Sequence, residues 1–496
     1  MVLSLCKPDG DDLRVRNIRF GKARRSLWAG GRIRAAAFNI ALGAAVSAGS
    51  LAGPALAQSL PDALVTAYLN SPELAAARSD VKVFAERAVQ ARAGGRVRVE
   101  GQLSFEQLTR TNDMNGVIFP ASMVINLVQP LYTGGQVHNA TEAAETRITA
   151  QEATLIVTEQ RILLDAVTAY SDIRRDLEFV SIGRNNVRVL TEQLRAARER
   201  FEVGEVTRTD VEQARSRLAA AQSVLAARRG ALARSREAYQ RVVGEAPGKL
   251  LPPPPLPDLP ASQDESVSIA LRDDPGVIAA RLERDATGSD VRSAIGALLP
   301  QVSLQSRYGL ADNGLSGIPS SETAAIGLFV TVPLYTGGFN YSNVREAQAV
   351  AEGASADIDS ALRTAAQNVG VSWANLDVAR ASIRAGQLEV SAAQLAFEGV
   401  QEEAKVGART TLDVLDAEQE VLNARSNLAA ARRDEYVAAY SLLASIGKLT
   451  ANHLGLDTGL TAGSGGEESG YYASVRNRNF GYDTSDDTVW KMDWHP

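Results

Sequence analysis

The sequence predicts an α+β membrane protein made of two tandem copies of one unit, each running helix, strand, strand, long helices. Three observations predict it: a repeat at constant offset, two pairs of strand-like segments, and proline-free helical stretches too long for a compact domain. Gln-Pro-Leu-Tyr-Thr-Gly-Gly at 129–135 returns as Val-Pro-Leu-Tyr-Thr-Gly-Gly at 332–338. The same offset of 203 carries Pro72 to Pro275, Arg78 to Arg281, Gln102 to Gln305, Gly204 to Gly407, Asp210 to Asp413 and Gly244 to Gly447. Repeats of about 20–50 residues would suggest a solenoid. Two long copies suggest a body with pseudo-twofold symmetry instead.

The N-terminal region reads as an export signal. Arg32 and Arg34 precede a small, apolar stretch from Ala35 to Ala57 that ends in Ala55-Leu56-Ala57, an A-x-A cleavage pattern. Gln58 is therefore the expected mature N-terminus, and the long segment before Arg32 places the expected biological start downstream of Met1. A membrane anchor is the alternative, disfavoured by the Ala and Gly content and by the cleavage pattern. Residues 1–57 hold nine Lys and Arg against three Asp and Glu, whereas the chain has 52 and 58, so the mature part carries about −12. Such an acidic protein is a poor nucleic-acid binder, because phosphate contacts need clustered cations. Cys6, the sole cysteine, lies in the removed region, and His138, His453 and His495 are scattered. The sequence thus offers no metal set, no cofactor site and no catalytic constellation, and an enzyme is not expected.

Each copy opens with a helical stretch, 61–95 and 264–298. A segment alternating at period two follows: Val97, Val99, Leu103 and Phe105 against Arg98, Glu100, Gln102 and Ser104 in the first copy. In the second, Val302, Leu304, Tyr308 and Leu310 alternate with Gln301, Ser303, Gln305 and Arg307. After a loop rich in Gly, Asn, Asp and Ser come second strands at 121–131 and 324–335. The hairpins, 96–131 and 300–335, have strands of about ten residues, the length a tilted strand needs to cross a bilayer. An ordinary sandwich hairpin would look similar.

The helices decide between them. No proline occurs from Gly135 to Pro247 or from Pro333 to Pro496, and residues 136–202 contain one interior glycine, Gly183. At 1.5 Å per residue that helix would be about 100 Å long. Its apolar spacing is that of a coiled coil: Val187, Leu190, Leu194, Ala197, Phe201; then Val211, Ala214, Leu218, Ala221, Leu225; and their counterparts Val414, Ala417, Val421, Ala424, Leu428. A solvent-exposed coiled-coil rod would explain the helices and leave the strands unexplained. The expected organisation is a signal with N-terminal extension (1–57), a first repeat (58–244), a stiff linker with seven prolines (245–263), a second repeat (264–450) and a disordered tail (451–496).

Four strands cannot close a membrane barrel, and an unpaired strand edge is prohibitively costly in lipid. At least two chains must share one barrel, and three would give twelve strands. An exported protein that joins a shared barrel to long helices fits a conduit from the outer membrane across the periplasm. The alternative is a periplasmic coiled-coil adaptor or scaffold without a pore.

The paired motifs, the duplicated unit and the string Val406-Gly407-Ala408-Arg409-Thr410-Thr411-Leu412-Asp413-Val414-Leu415-Asp416-Ala417-Glu418 resemble the TolC family of outer-membrane exit ducts. The resemblance implies a homotrimer with a twelve-stranded barrel in outer-membrane lipid and a coiled-coil helical barrel in the periplasm. It also implies docking, through a periplasmic adaptor (membrane fusion protein), to an inner-membrane ABC or other transporter, for type I protein secretion or efflux. The missing lipid-anchor Cys leans towards protein secretion. Carried over by the resemblance, Asp413 and Asp416 form a periplasmic gate, and Arg409 links it to Thr209 and Asp210. The family's frequent aromatic residue three before the glycine is Ala404 here, which shifts closure onto Arg409.

The residues also allow a plainer account. Thr410-x-x-Asp413 and Thr207-x-x-Asp210 both match a capping box, so these acids could simply start helices. Asp416 differs, because its first-copy counterpart is Gln213. Three residues after Asp413 it shares that helix face, and three chains would bring about six carboxylates near one axis, a focus for cations. Tyr132, Gly134 and Gly135, with Tyr335, Gly337 and Gly338, fit a joint where strand becomes helix. Aromatic residues suit a membrane interface and glycine permits the bend; a strand end with a turn is the alternative.

Overall fold

The computed structural model describes residues 57–110, 116–312 and 320–457. The expected signal, apart from Ala57, and the tail beyond 457 lie outside the described residues. The first half comprises β1 (Ala57–Gln58), α1 (Leu60–Asn70), α2 (Pro72–Ala93), β2 (Arg98–Phe105), β3 (Leu108–Arg110), β4 (Gly116–Ile118), β5 (Ala121–Tyr132), α3 (Gln136–Glu202) and α4 (Arg208–Val243). The second comprises β6 (Lys249–Leu250), α5 (Gln263–Asp273), α6 (Pro275–Gly296), β7 (Gln301–Asp312), β8 (Ser321–Thr331), α7 (Phe339–Lys405) and α8 (Thr411–Ser445). Helices α3 and α7 both have 67 residues, about 100 Å each.

Four details depart from the sequence reading. Residues 451–457, expected to open a disordered tail, are ordered: Ala451 N–H donates to Glu159 Oε1 (2.7 Å), and Leu454 and Leu456 pack on the main core. Each opening helical stretch is two helices, because the residue before Pro72 or Pro275 is forced out of the helical region (ψ 118° at Ser71, 123° at Asp274) and caps the next helix with its side chain. The first hairpin carries an additional small ladder, β3 with β4, beyond the main strands. Strand β8 stops at Thr331, short of the expected 335: β7 begins opposite it at Gln301, and Pro333 has no N–H to donate. Its first-copy counterpart, Pro130, is tolerated at an irregularity between Pro130 and Tyr132.

The four main strands form one antiparallel sheet in the order β2–β5–β7–β8. Its register aligns a single apolar face. Leu103 lies opposite Met123, Met123 opposite Leu310, Val99 opposite Leu127, Ile125 opposite Tyr308, and Leu304 opposite Leu328. The other face carries Arg98, Glu100, Gln102, Asn126, Gln305 and Arg307, with Ser104 and Ser122 hydrogen-bonded at 2.7 Å. Membrane-barrel strands show the same two-faced alternation.

The helices follow the strands. Helix α2 packs on α3, α3 on α6 and α6 on α7, the same lateral order as the strands that run into or out of them. Further along, the order is α4–α3–α8–α7. The coiled-coil seams form as expected: Leu194, Ala197 and Ala214 are buried together, and Leu190 packs with Ala221. Gly183 permits the α3–α4 approach, since a Cβ there would meet Leu225 Cδ1 at 3.3 Å. Helix α8 buries two faces, Val414, Val421 and Leu428 on one and Leu415, Leu422 and Ala429 on the other, because it lies between α7 and α3.

The main core gathers α1, the middle of α3, and the ends of α4 and α8. Tyr170, fully buried, donates to Leu251 O (2.6 Å) and Gln58 O (3.3 Å), and Tyr436 donates to Pro254 O (2.8 Å). The proline-rich segment is thus tied to the helices by tyrosine hydroxyls, and β6 pairs in parallel with β1. Asp176, 2% exposed, accepts from Ser235 and pairs with Arg175, which keeps a buried charge satisfied where α3 meets α4.

Candidate functional site

The two long helical hairpins turn at Gly204 and Gly407, whose positive φ values of 79° and 77° reverse the chain. Both turns lead into capping boxes. Thr410 N–H and Oγ1 donate to Asp413 Oδ2 (2.9 and 2.8 Å), and Asp413 N–H donates back to Thr410 Oγ1 (3.2 Å). Thr207 and Asp210 repeat the arrangement on α4. The hydrogen bonds from the Thr410 backbone and side chain hold the Asp413 carboxyl below the usual carboxylate range. Asp413 therefore starts a helix and stays ionised at the hairpin tip.

Arg409 and Asp416 have partners other than those the sequence suggested. Arg409 Nε donates to Glu403 Oε2 at 2.8 Å, on the preceding helix of its own hairpin. Within the chain the expected link from Arg409 to Thr209 and Asp210 is not made, since the Asp210 carboxylate caps α4 and the guanidinium reaches the nearer Glu403. Near the tips the two hairpins are tied through Asp416, whose Oδ1 accepts from Arg217 of α4 at 2.7 Å; further along, Arg228 of α4 donates to Ser426 of α8 and Arg433 of α8 pairs with Asp172 of α3. Both side chains are about half exposed, so one such pair contributes roughly 0–1 kcal/mol.

Glu418 escaped the sequence reading. It is 7% exposed, with Oε2 buried and lacking a hydrogen-bond partner among the described residues. It lines a cavity of about 110 Å³ between α3, α4 and α8, together with Gly183, Leu190, Arg217, Arg228 and Leu422. The signal was present as Leu415, Glu418, Leu422, an acid inside an apolar three-four spacing on the second face of α8.

At the other end of α3, Tyr132 is the last residue of β5, and Gly134 and Gly135 have φ values of 64° and 84° before the helix begins. Gly134 is buried against the end of α6, and a Cβ on it would collide with the Gly296 carbonyl. Gly337 and Gly338 adopt the same conformation (63° and 88°) before α7, but with open space around them, and Tyr335 is 89% exposed.

These elements have counterparts in known proteins. The family described as outer membrane efflux protein matches residues 63–245 and 267–448. The chain belongs to this family. It is 35% identical over 435 residues to the outer membrane efflux protein BepC of Brucella suis, covering 87% of this chain and 93% of the relative. It is 25% identical over 415 residues to the outer membrane protein TolC of Escherichia coli, covering 80% and 84%. Among solved structures it resembles the Campylobacter jejuni CmeC outer membrane channel with a TM-score of 0.69 and 18% identity, over 83% of this chain and 89% of that one.

As a family member, the protein is an outer-membrane exit duct for efflux or type I secretion, extending into the periplasm. Family members are channels rather than enzymes. No described helix is long and apolar enough to cross a membrane.

Proposed function

We propose that three copies of this chain close head to tail into one duct, with a twelve-stranded barrel in outer-membrane lipid and a helical tunnel below it. The single observation that carries this reading is that every layer of the chain is open on matching flanks. The sheet ends in β2 and β8, the upper helices in α2 and α7, and the lower helices in α4 and α7. Strands alternate in direction, so β8 of one copy can continue an antiparallel ladder onto β2 of the next.

The bare side has the chemistry of an interface. Val371, Val378, Leu388 and Leu395 are exposed along α7, where the first-copy counterparts on α3 are Thr168, Arg175, Asn185 and Glu192. Gly134 rests on the end of α6, and the equivalent Gly337 has room for the end of a neighbouring α2. On this reading the residues Tyr132, Gly134, Gly135, Tyr335, Gly337 and Gly338 form the barrel-to-helix joint.

The entrance lies at the hairpin tips. Asp413 and Asp416 from three copies give about six carboxylates, with Arg217 rather than Arg409 tying the second hairpin to the first. Kinship with family members supports delivery of substrate by an inner-membrane transporter through a periplasmic adaptor. Native mass measurement of the detergent-extracted protein should give a trimer, and a stable monomer would overturn the architecture. In planar bilayers the closed pore should prefer cations and be blocked by polyvalent cations from the periplasmic side. Asp413→Ala with Asp416→Ala should lower both properties together. Retained selectivity and block would leave Asp413 only its capping role, worth about 1 kcal/mol.

A further inference from the structure

The cavity around Glu418 lies about two helical turns from the start of α8 at Thr411, next to the Arg217–Asp416 tie near the hairpin tips. Three of its features belong together. Glu418 comes from α8, is almost wholly buried, and has an oxygen without a hydrogen-bond partner among the described residues. Arg217, whose guanidinium holds Asp416, lines the same cavity from α4. Asp416 is more than half exposed, so water can replace its arginine at little cost.

The other charged groups facing Glu418 are already engaged. Arg228 of α4 donates to Phe179 O (3.0 Å) and Ser426 Oγ (3.3 Å) and lies over the Phe179 ring. Arg188 of α3 donates to Glu192 (3.1 Å) and Asn185 (2.8 Å), and attracts Glu418 from a distance. No carboxylate other than Glu418 lines this cavity among the described residues. An ionised Glu418 must therefore either leave the seam or take a cation, and of the two arginines that line the cavity, Arg217 and Arg228, Arg217 is the one whose present partner can be surrendered to solvent.

We propose that Glu418 is a proton-operated brace of the periplasmic entrance, a role that rests on the gate reading above. Neutral, it packs between α3, α4 and α8 and leaves Arg217 on Asp416. Ionised, it draws Arg217 into the cavity or pushes α8 outward, and in either case the Arg217–Asp416 tie breaks.

The sign follows from burial. Burial pushes the Glu418 carboxyl from its ordinary value of 4.5 up to about 7, with Arg188 pulling the other way. The packed arrangement holds its proton across that window while a solvated one does not. The brace is thus fully in place below pH 4.5, weakens as pH rises, and is lost once pH passes about 7. With one proton per chain, the closed-to-open ratio falls by up to about tenfold per pH unit per chain inside the window.

The test uses the full-length trimer in planar bilayers from about pH 5 to about pH 8, the range that spans this titration. The wild-type closed-state conductance should be lowest at the acid end and rise towards neutrality. Glu418→Gln should stay low throughout, and Glu418→Met, of similar volume and uncharged, should do the same. Arg217→Ala should raise conductance at the acid end and remove the rise. A wild-type conductance that does not change over this range overturns the proposal, as does a wild-type profile retained in whichever uncharged variant assembles. The gate reading fails separately, through unchanged selectivity in the double Asp413 and Asp416 variant.

Discussion

Leu328→Arg is expected to leave little assembled duct in the outer membrane. Leu328 lies in the middle of β8, opposite Leu304, on the apolar face shared with Ile326 and Val330, and it is 61% exposed in the chain. An arginine facing lipid at the bilayer midplane costs about 2–4 kcal/mol, and a shared barrel would incur that cost once in every chain. Gln305→Arg is the matched control. It sits opposite Gly327 on the polar face that already carries Arg307, so it should assemble normally and change only ion preference. Outer-membrane fractionation with native gels compares the two. Equal amounts of assembled protein would mean that the apolar face does not meet lipid.

Tyr170→Ala is expected to be the most damaging change in the helical core. The ring is fully buried among α1, α4 and α8, and large-to-small changes at such sites cost about 3–5 kcal/mol for aromatic residues. The hydroxyl adds a separate contribution by fastening Leu251 and Gln58, residues far apart in sequence. Tyr170→Phe keeps the ring and loses only those hydrogen bonds, which should cost about 1 kcal/mol. Thermal unfolding in detergent should rank wild type above Phe and Phe above Ala. Equal midpoints for the two variants would show that the hydroxyl, not the packing, holds this region.

What could be read in advance depended on how local its cause was. The long helices were legible because proline-free stretches and three-four apolar spacing act within one segment: Leu190, Leu194 and Ala197 are buried where the seam requires. The strands were legible because alternation such as Val302, Leu304 against Gln301, Ser303 already sorts two faces. The end of β8 was misjudged since pairing, not propensity, terminates a strand, and β7 offers no partner beyond Gln301. The break at Ser71 and Pro72 was visible in the residues and needed only the rule for the position before proline.

The entrance divides in the same way. Capping by Asp413 and Asp210 is a contact over three residues, so the Thr-x-x-Asp spacing determined it. The partners of Arg409 and Asp416 were a matter of tertiary structure. Arg409 meets Glu403 because the Gly407 turn folds its own hairpin back, and Asp416 meets Arg217 because α4 and α8 both pack on α3, where Leu190, Ala221 and Leu415 share one cluster. Glu418 shows the limit most clearly. The sequence by itself determined that an acid stands in the apolar spacing of Leu415 and Leu422. Only the packing of three helices decided that this acid is buried, lacks a full set of partners and faces Arg217, because burial depends on which neighbours enclose a helix face and that is not written within the helix.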